Sequence, residues 1–126
     1  MLRQVVVALV FAILAIVASS EPVNLDDSNY ESSINDGIWF VKYFAPWCGH
    51  CKRLAPTWEK LAEEATAAGL NVKIAKVDCT VARDTCSNQG IRGYPTLQLH
   101  SNGKVDKYSG SRDLQALLDY AKQHNA

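Results

Sequence analysis

Ile38 to Phe44, IWFVKYF, restricts the fold of this chain more than any other stretch. Its β-branched and aromatic residues, broken by the single charge of Lys42, read as a central strand covered on both faces. From Cys48 onward the period becomes helical. Leu54, Trp58, Leu61, Ala62 and Ala65 share one face, and Gly69 is the expected stop. A doubly covered strand that feeds an amphipathic helix calls for a sheet between helical layers.

The other segments fit that plan. Val23 to Leu25 reads as a short strand, Asp26-Asp27-Ser28 offers caps for a helix over Tyr30 to Ile34, and Asp36-Gly37 breaks it. Val72 to Val77 reads as a second buried strand, and Thr80 as the cap of a shorter helix ending near Gly90. Thr96 to His100 is a strand, Asn102-Gly103 a hairpin turn into Val105 to Tyr108, and Ser111 the cap of a last helix striped by Leu114, Leu117, Leu118 and Ala121. Pro56, inside the long helix, is expected to kink it. The order β-α-β-α-β-α-β-β-α predicts one α/β domain with a central mixed sheet, parallel at its start and antiparallel at one edge. Trp39 and Trp58 are expected in the core. His100 and His124 are expected at the surface or in caps.

The chain has 126 residues and a formal net charge of zero, with no basic stripe. Neither nucleic acid nor an anionic membrane is therefore an expected partner. Arg3, the apolar run Val5 to Ala18 and the small residues Ala18-Ser19-Ser20 have the pattern of a cleavable signal peptide over 1–20, which leaves a domain over 21–126. An uncleaved signal anchor is the alternative, although the run is short for a bilayer span. The mature protein is expected in the secretory pathway, in the endoplasmic reticulum lumen or secreted. The chain ends His124-Asn125-Ala126, with no KDEL-like address.

Four cysteines are present. Cys48 and Cys51, separated by Gly49 and His50, fall where the strand gives way to the helix. Unpaired N–H groups and the positive end of the helix dipole stabilise a thiolate there, so Cys48 is the expected nucleophile. Cys51, one turn further in, is placed to attack a mixed disulfide at Cys48. A cationic imidazole at His50 is expected to lower the Cys48 thiol further and make the disulfide a better oxidant. The potentials of thioredoxin and protein disulfide isomerase differ by roughly 90 mV, about 4 kcal/mol for two electrons, enough to set the direction of electron flow. A zinc site using Cys79 and Cys86 is disfavoured because their spacing does not repeat the tight pair. A purely structural Cys48–Cys51 bridge is disfavoured because so small a loop removes little chain entropy.

APWCGHCK, followed by KVDCT at Lys76 to Thr80 and IRGYPTL at Ile91 to Leu97, resembles the protein disulfide isomerase branch of the thioredoxin fold. The cysteines at 79 and 86, with YSGSRDL at Tyr108 to Leu114, look most like one domain of the multi-domain endo-PDI type. The resemblance implies that Cys48 attacks, Cys51 resolves, and Gly49 and His50 set the redox character. It implies that Tyr94-Pro95 is a cis-proline loop pairing with an extended substrate, and that Trp47 adds an apolar substrate surface. Cys79 and Cys86 can bridge only if Cys79 lies in the strand-to-helix turn. A structural bridge is the favoured outcome, with free thiols or a second redox pair as the alternatives.

One departure stands out. Many members of the family carry a buried carboxylate where this chain has Lys42, partnered by a lysine matching Lys76. Either Lys42 snorkels to the surface, the favoured reading, or its neutral amine accepts the proton of Cys51. The family's arginine in the last helix has no clear counterpart, since no arginine follows Arg112. The function implied is a thiol–disulfide oxidoreductase, an oxidase with some isomerase activity. The alternatives are a binding module with weak redox activity and a reductase, the latter disfavoured by His50. Expected partners are unfolded or disulfide-bearing proteins and a reoxidising oxidase or glutathione. A monomer is expected, with no cofactor, no metal, and no membrane contact after signal cleavage.

Overall fold

The computed structural model describes residues 20–126, so the leader expected at 1–20 lies, Ser20 apart, outside the described residues. Five strands are present, β1 (Val23–Leu25), β2 (Ile38–Phe44), β3 (Val72–Asp78), β4 (Thr96–Ser101) and β5 (Lys104–Tyr108). Four helices accompany them among the described residues, α1 (Tyr30–Ile34), α2 (Gly49–Ala67), α3 (Arg83–Asn88) and α4 (Leu114–Gln123). The sheet order is β1-β3-β2-β4-β5, with β3 parallel to β1 and β2, and β4 antiparallel to β2 and β5. None of the described helices is long and apolar enough to cross a membrane.

β2 is central, and its alternating side chains divide the core. Ile38 and Phe40 join the α2/α4 side, where Phe40 meets Trp58 edge-on at 4.9 Å between centroids. Trp39, Val41 and Tyr43 join the other side with Tyr30, Ala75 and Val77. Trp39 and Trp58 are both buried, as their pattern predicts, and Trp58 Nε1–H donates to the Ala75 carbonyl at 2.9 Å. Asn102 and Gly103 have φ of 52° and 81°, the pair of positive angles that a two-residue hairpin turn requires.

The helix caps differ from those expected, because nearby aspartates claim the hydroxyls. Asp78 accepts from the N–H and Oγ1 of Thr80, and Ala82 takes the cap position of α3. Ser111 donates to Asp113, whose other carboxylate oxygen caps α4 at the Ala116 N–H, 2.8 Å away. Asn29 precedes α1, while Asp27 reaches across the fold to the N–H and hydroxyl of Thr85, at 2.9 and 2.7 Å, in the first turn of α3.

His100 is a correction. It is buried within β4, on a hydrogen-bonded chain from Tyr30 Oη to Tyr43 Oη (2.7 Å), on to His100 Nε2 (3.1 Å) and to Gln98 Oε1 (3.1 Å). The position at a strand end exposes nothing here, because α1 covers it. Burial holds the His100 imidazole below its ordinary value of 6.5. The unfolded chain therefore binds the proton more readily, and stability should fall as pH drops below about 6.5. Urea midpoints at pH 7 and pH 5 check this, and His100→Gln is expected to flatten the dependence in that interval. His124 behaves as expected, its Nδ1 3.0 Å from the Tyr120 carbonyl at the end of α4.

Candidate active site

β2 ends against α2 through the turn Ala45-Pro46-Trp47, closed by Cys48 N–H to the Ala45 carbonyl at 3.1 Å. Cys48 takes the cap position of α2, with extended φ and ψ, and its sulfur accepts the Cys51 N–H at 3.2 Å. A cysteine sulfur thus does what a serine oxygen does at most helix starts, and it faces unpaired N–H groups directly. Both cysteines are free thiols, Cys51 being 3% exposed.

The two thiols are driven apart electrically. Hydrogen bonding from Cys51 holds Cys48 below the ordinary cysteine value, helped by the His50 backbone N–H and the charge of Arg112. Burial pushes Cys51 up, and proximity to Cys48 adds to this. The result is one thiol poised as thiolate beside one poised to keep its proton.

The His50 backbone N–H faces Cys48, while its ring meets Arg53. Its Nδ1 sits 2.8 Å from an Arg53 guanidinium nitrogen. The ring points along the exposed helix face. Arg112 is the residue that sequence reasoning passed over. It stands in the turn before α4, yet its charge reaches Cys48. Only the folded placement of that turn, some sixty residues along the chain from Cys48, could have revealed it.

The loop before β4 closes the site. Tyr94–Pro95 is a cis peptide, and the Tyr94 carbonyl accepts from the Cys48 thiol at 3.6 Å. Trp47, 69% exposed, meets the Tyr94 ring edge-on at 5.9 Å and 86°. The structure therefore brings Trp47, Cys48, Gly49, His50, Cys51, Tyr94 and Pro95 together.

Lys42 lies beneath them and corrects the favoured reading, since its side chain does not reach the surface. It is 3% exposed, with Nζ 4.9 Å from the centre of the Phe44 ring. It lines a cavity of about 170 Å³ shared with Phe44, Cys51, Ala55, Glu59 and Lys76. Cys51, Ala55 and Glu59 stand four residues apart on one face of α2, and Lys76 pairs with Lys42 in the sheet register. Cys51, Lys52, Ala55 and Glu59 of α2 line the cavity on the helix side of the lysine. Burial lowers the Lys42 amine from its ordinary value, Lys76 lowers it further, and Glu59 and Cys51 act against them. Lys76 and Glu59 form a half-exposed pair at 3.7 Å, worth little in itself.

Cys79 and Cys86 are bonded to each other, with Cα atoms 5.6 Å apart. Cys79 follows β3 directly and its N–H donates to the Phe44 carbonyl, while Cys86 lies in α3. Both are buried with Tyr30 and Trp39 on the sheet face opposite Lys42. Replacing both by alanine should cost about 2 to 3 kcal/mol, given the short loop they close, as checked by urea unfolding. Disulfide exchange at Cys48 should be unchanged; a slower exchange would indicate that the second pair shuttles electrons. No group of three or more potential metal ligands occurs among the described residues.

The thioredoxin family model matches residues 21–123. The chain belongs to the thioredoxin family. This thioredoxin domain is 47% identical over 100 residues to a thioredoxin domain-containing protein 5 homolog of Drosophila melanogaster, covering 77% of this chain and 24% of that protein. It is 42% identical over 103 residues to a protein disulfide-isomerase of Aspergillus niger, covering 80% of this chain and 20% of the relative. Among solved structures, the J-Trx1 fragment of ERdj5 superimposes with a TM-score of 0.74 at 33% identity, over 81% of this chain and 50% of that one. The chain thus spans about a quarter or less of these two curated relatives. Its relatives include proteins named protein disulfide-isomerase, from Aspergillus niger and from Caenorhabditis elegans.

Proposed function

We propose that the domain passes disulfides to folding proteins of the secretory pathway through Cys48 and Cys51, chiefly as an oxidase and secondarily as an isomerase. The opposed settings of the two thiols carry this reading: Cys48 is held low at a helix cap and Cys51 is held high beneath it. In the oxidising direction, a substrate thiolate attacks Cys48 sulfur of the Cys48–Cys51 disulfide, and Cys51 leaves as a thiolate. A second substrate thiol then displaces Cys48, so two substrate thiols become one disulfide and both domain cysteines are reduced. In isomerisation, the Cys48 thiolate attacks a substrate disulfide, and Cys51 can later displace the substrate.

Trp47 and Tyr94 offer an aromatic surface to unfolded chains, and the Tyr94–Pro95 loop offers backbone groups to an extended one. Gly49 lies between Cys48 and His50, and a Cβ there would meet only the Arg53 guanidinium, at an ordinary 3.8 Å. Lys42 serves Cys51. Its amine takes up the Cys51 proton within the shared cavity and returns it when Cys51 leaves, with Lys76 and Glu59 at the solvent side. The reoxidising partner is an oxidase or glutathione, and the compartment is the endoplasmic reticulum lumen or the exterior.

The test is oxidative refolding of a reduced, multi-cysteine protein by the oxidised domain. Wild type should accelerate refolding, and Cys48→Ser should reduce the rate to that of the buffer alone. Equal rates for the two would end the oxidoreductase reading.

A further inference from the structure

A cavity of about 550 Å³ opens beside the redox centre and has no part in the exchange chemistry above. Tyr94 and Pro95 form one end, Tyr108 lies along it, and Arg92, Lys107 and Arg112 supply three cations. No carboxylate lines it. Of the nearby acids, Asp113 caps α4 with its charge still acting on Tyr108, and Asp106 lines a separate cavity with Leu99 and His124, so three cations face one neighbouring carboxylate. In a chain whose formal net charge is zero, such segregation makes a local positive field.

The groove adjoins Cys48 through Tyr94. The Tyr94 carbonyl that bounds it receives the Cys48 thiol, and the Arg112 charge acts on the same sulfur. Its far side is lined by Lys107 and Tyr108 of β5, which among the described residues pairs with β4 alone and leaves its outer backbone edge open. Tyr108 is held in place there, with its hydroxyl donating to the Ser111 carbonyl and crowding Gly110 so closely that a Cβ would lie 2.7 Å away. A cysteine docked at Cys48 would therefore extend its flanking residues past three cations and an unpaired strand edge.

We propose that this groove binds acidic side chains flanking the target cysteine of an extended polypeptide, so that the domain oxidises cysteines in acidic stretches faster than in neutral ones. The proposal rests on the oxidoreductase reading and adds a substrate class to it. At about 3.3 Å per residue of extended chain, the acids that matter lie within roughly four residues of the cysteine.

The experiment uses reduced two-cysteine peptides flanked on one side or the other by Asp-Asp or Asn-Asn. Each is oxidised by the oxidised domain, and each rate is referenced to oxidation of the same peptide by a small neutral disulfide. Two peptide thiols become a disulfide, and their protons pass to the reduced Cys48 and Cys51. For peptides with the acids on the favoured side, the Asp/Asn ratio should be about five to ten at low salt and fall toward one near 1 M, where the screening length is about 3 Å. Lys107→Glu and Arg92→Glu should each bring the ratio to one or below. Lys60→Glu, the same charge reversal on the exposed face of α2, should keep it.

A ratio near one at low salt for acids on either side would overturn the proposal while leaving the exchange chemistry intact. So would a ratio that survives both groove substitutions, or a charge dependence seen with glutathione disulfide but not with the peptides. Failure to oxidise any peptide would instead remove the oxidoreductase reading and this proposal with it.

Discussion

Reduced Cys51→Ala mixed with a disulfide-bearing protein is expected to accumulate covalent complexes that wild type does not, and Cys48→Ser is expected to form none. Cys48 is the more exposed of the two buried cysteines, 9% against 3%, and its sulfur sits at the helix cap with its thiol held low. Once it has attacked, the complex is resolved by a sulfur one turn away in the same rigid helix. Intramolecular groups so placed act at effective concentrations of about 10⁵ M or more, far above any free thiol in solution. Loss of Cys51 should therefore slow release by at least about a thousandfold, as read on non-reducing gels over time. Attack by Cys51→Ala should still rise with pH, but its midpoint should move up from that of wild type, because the Cys51 thiol that does most to hold Cys48 below the ordinary cysteine value is gone. Complexes that form equally with Cys48→Ser would reverse the assignment of the two sulfurs.

Lys42→Met is expected to slow release by about a hundredfold, in the range that a positioned base contributes. The Cys51 thiol is pushed up by burial, so it must lose its proton to something inside the same cavity before it can attack. Lys42 is the buried base there, and its amine is held below the ordinary lysine value of 10.5. The wild-type release rate should rise with pH as Lys42 becomes neutral, and Lys42→Met should lose that limb. Lys42→Glu restores a proton acceptor and should recover most of the rate. Stability provides the counter-check. Below its ordinary pKa, Lys42 is more readily protonated in the unfolded chain than in the fold, so its burial costs stability. Lys42→Met should remove that cost and raise the urea midpoint while the rate falls. An unchanged release rate would leave Lys42 without a part in the chemistry.

How far these sites can be read from sequence depends on what holds each residue. Ile38 to Phe44 was legible because burial on both faces leaves an unbroken apolar run. The nucleophile was legible because a strand meets a helix at Cys48, and both periods are local. Caps were less legible: Thr80 and Ser111 are sound candidates alone, but the neighbouring aspartates Asp78 and Asp113 bind their hydroxyls first. Burial of Lys42 and His100 was not legible, since it depends on where α2 and α1 lie over the sheet. Arg112 and Asp27 act on residues far along the chain, and no local pattern marks either.

The three tryptophans divide the molecule optically. Trp39 and Trp58 are 4% and 0% exposed on opposite faces of the sheet, whereas Trp47 projects into solvent next to Cys48. Emission from the first two follows the folded state, and that of the third follows the sulfur beside it and any chain lying over it. Trp47→Phe would silence the second signal and leave the first. Unlabelled fluorescence can therefore time disulfide transfer and unfolding separately in the same sample.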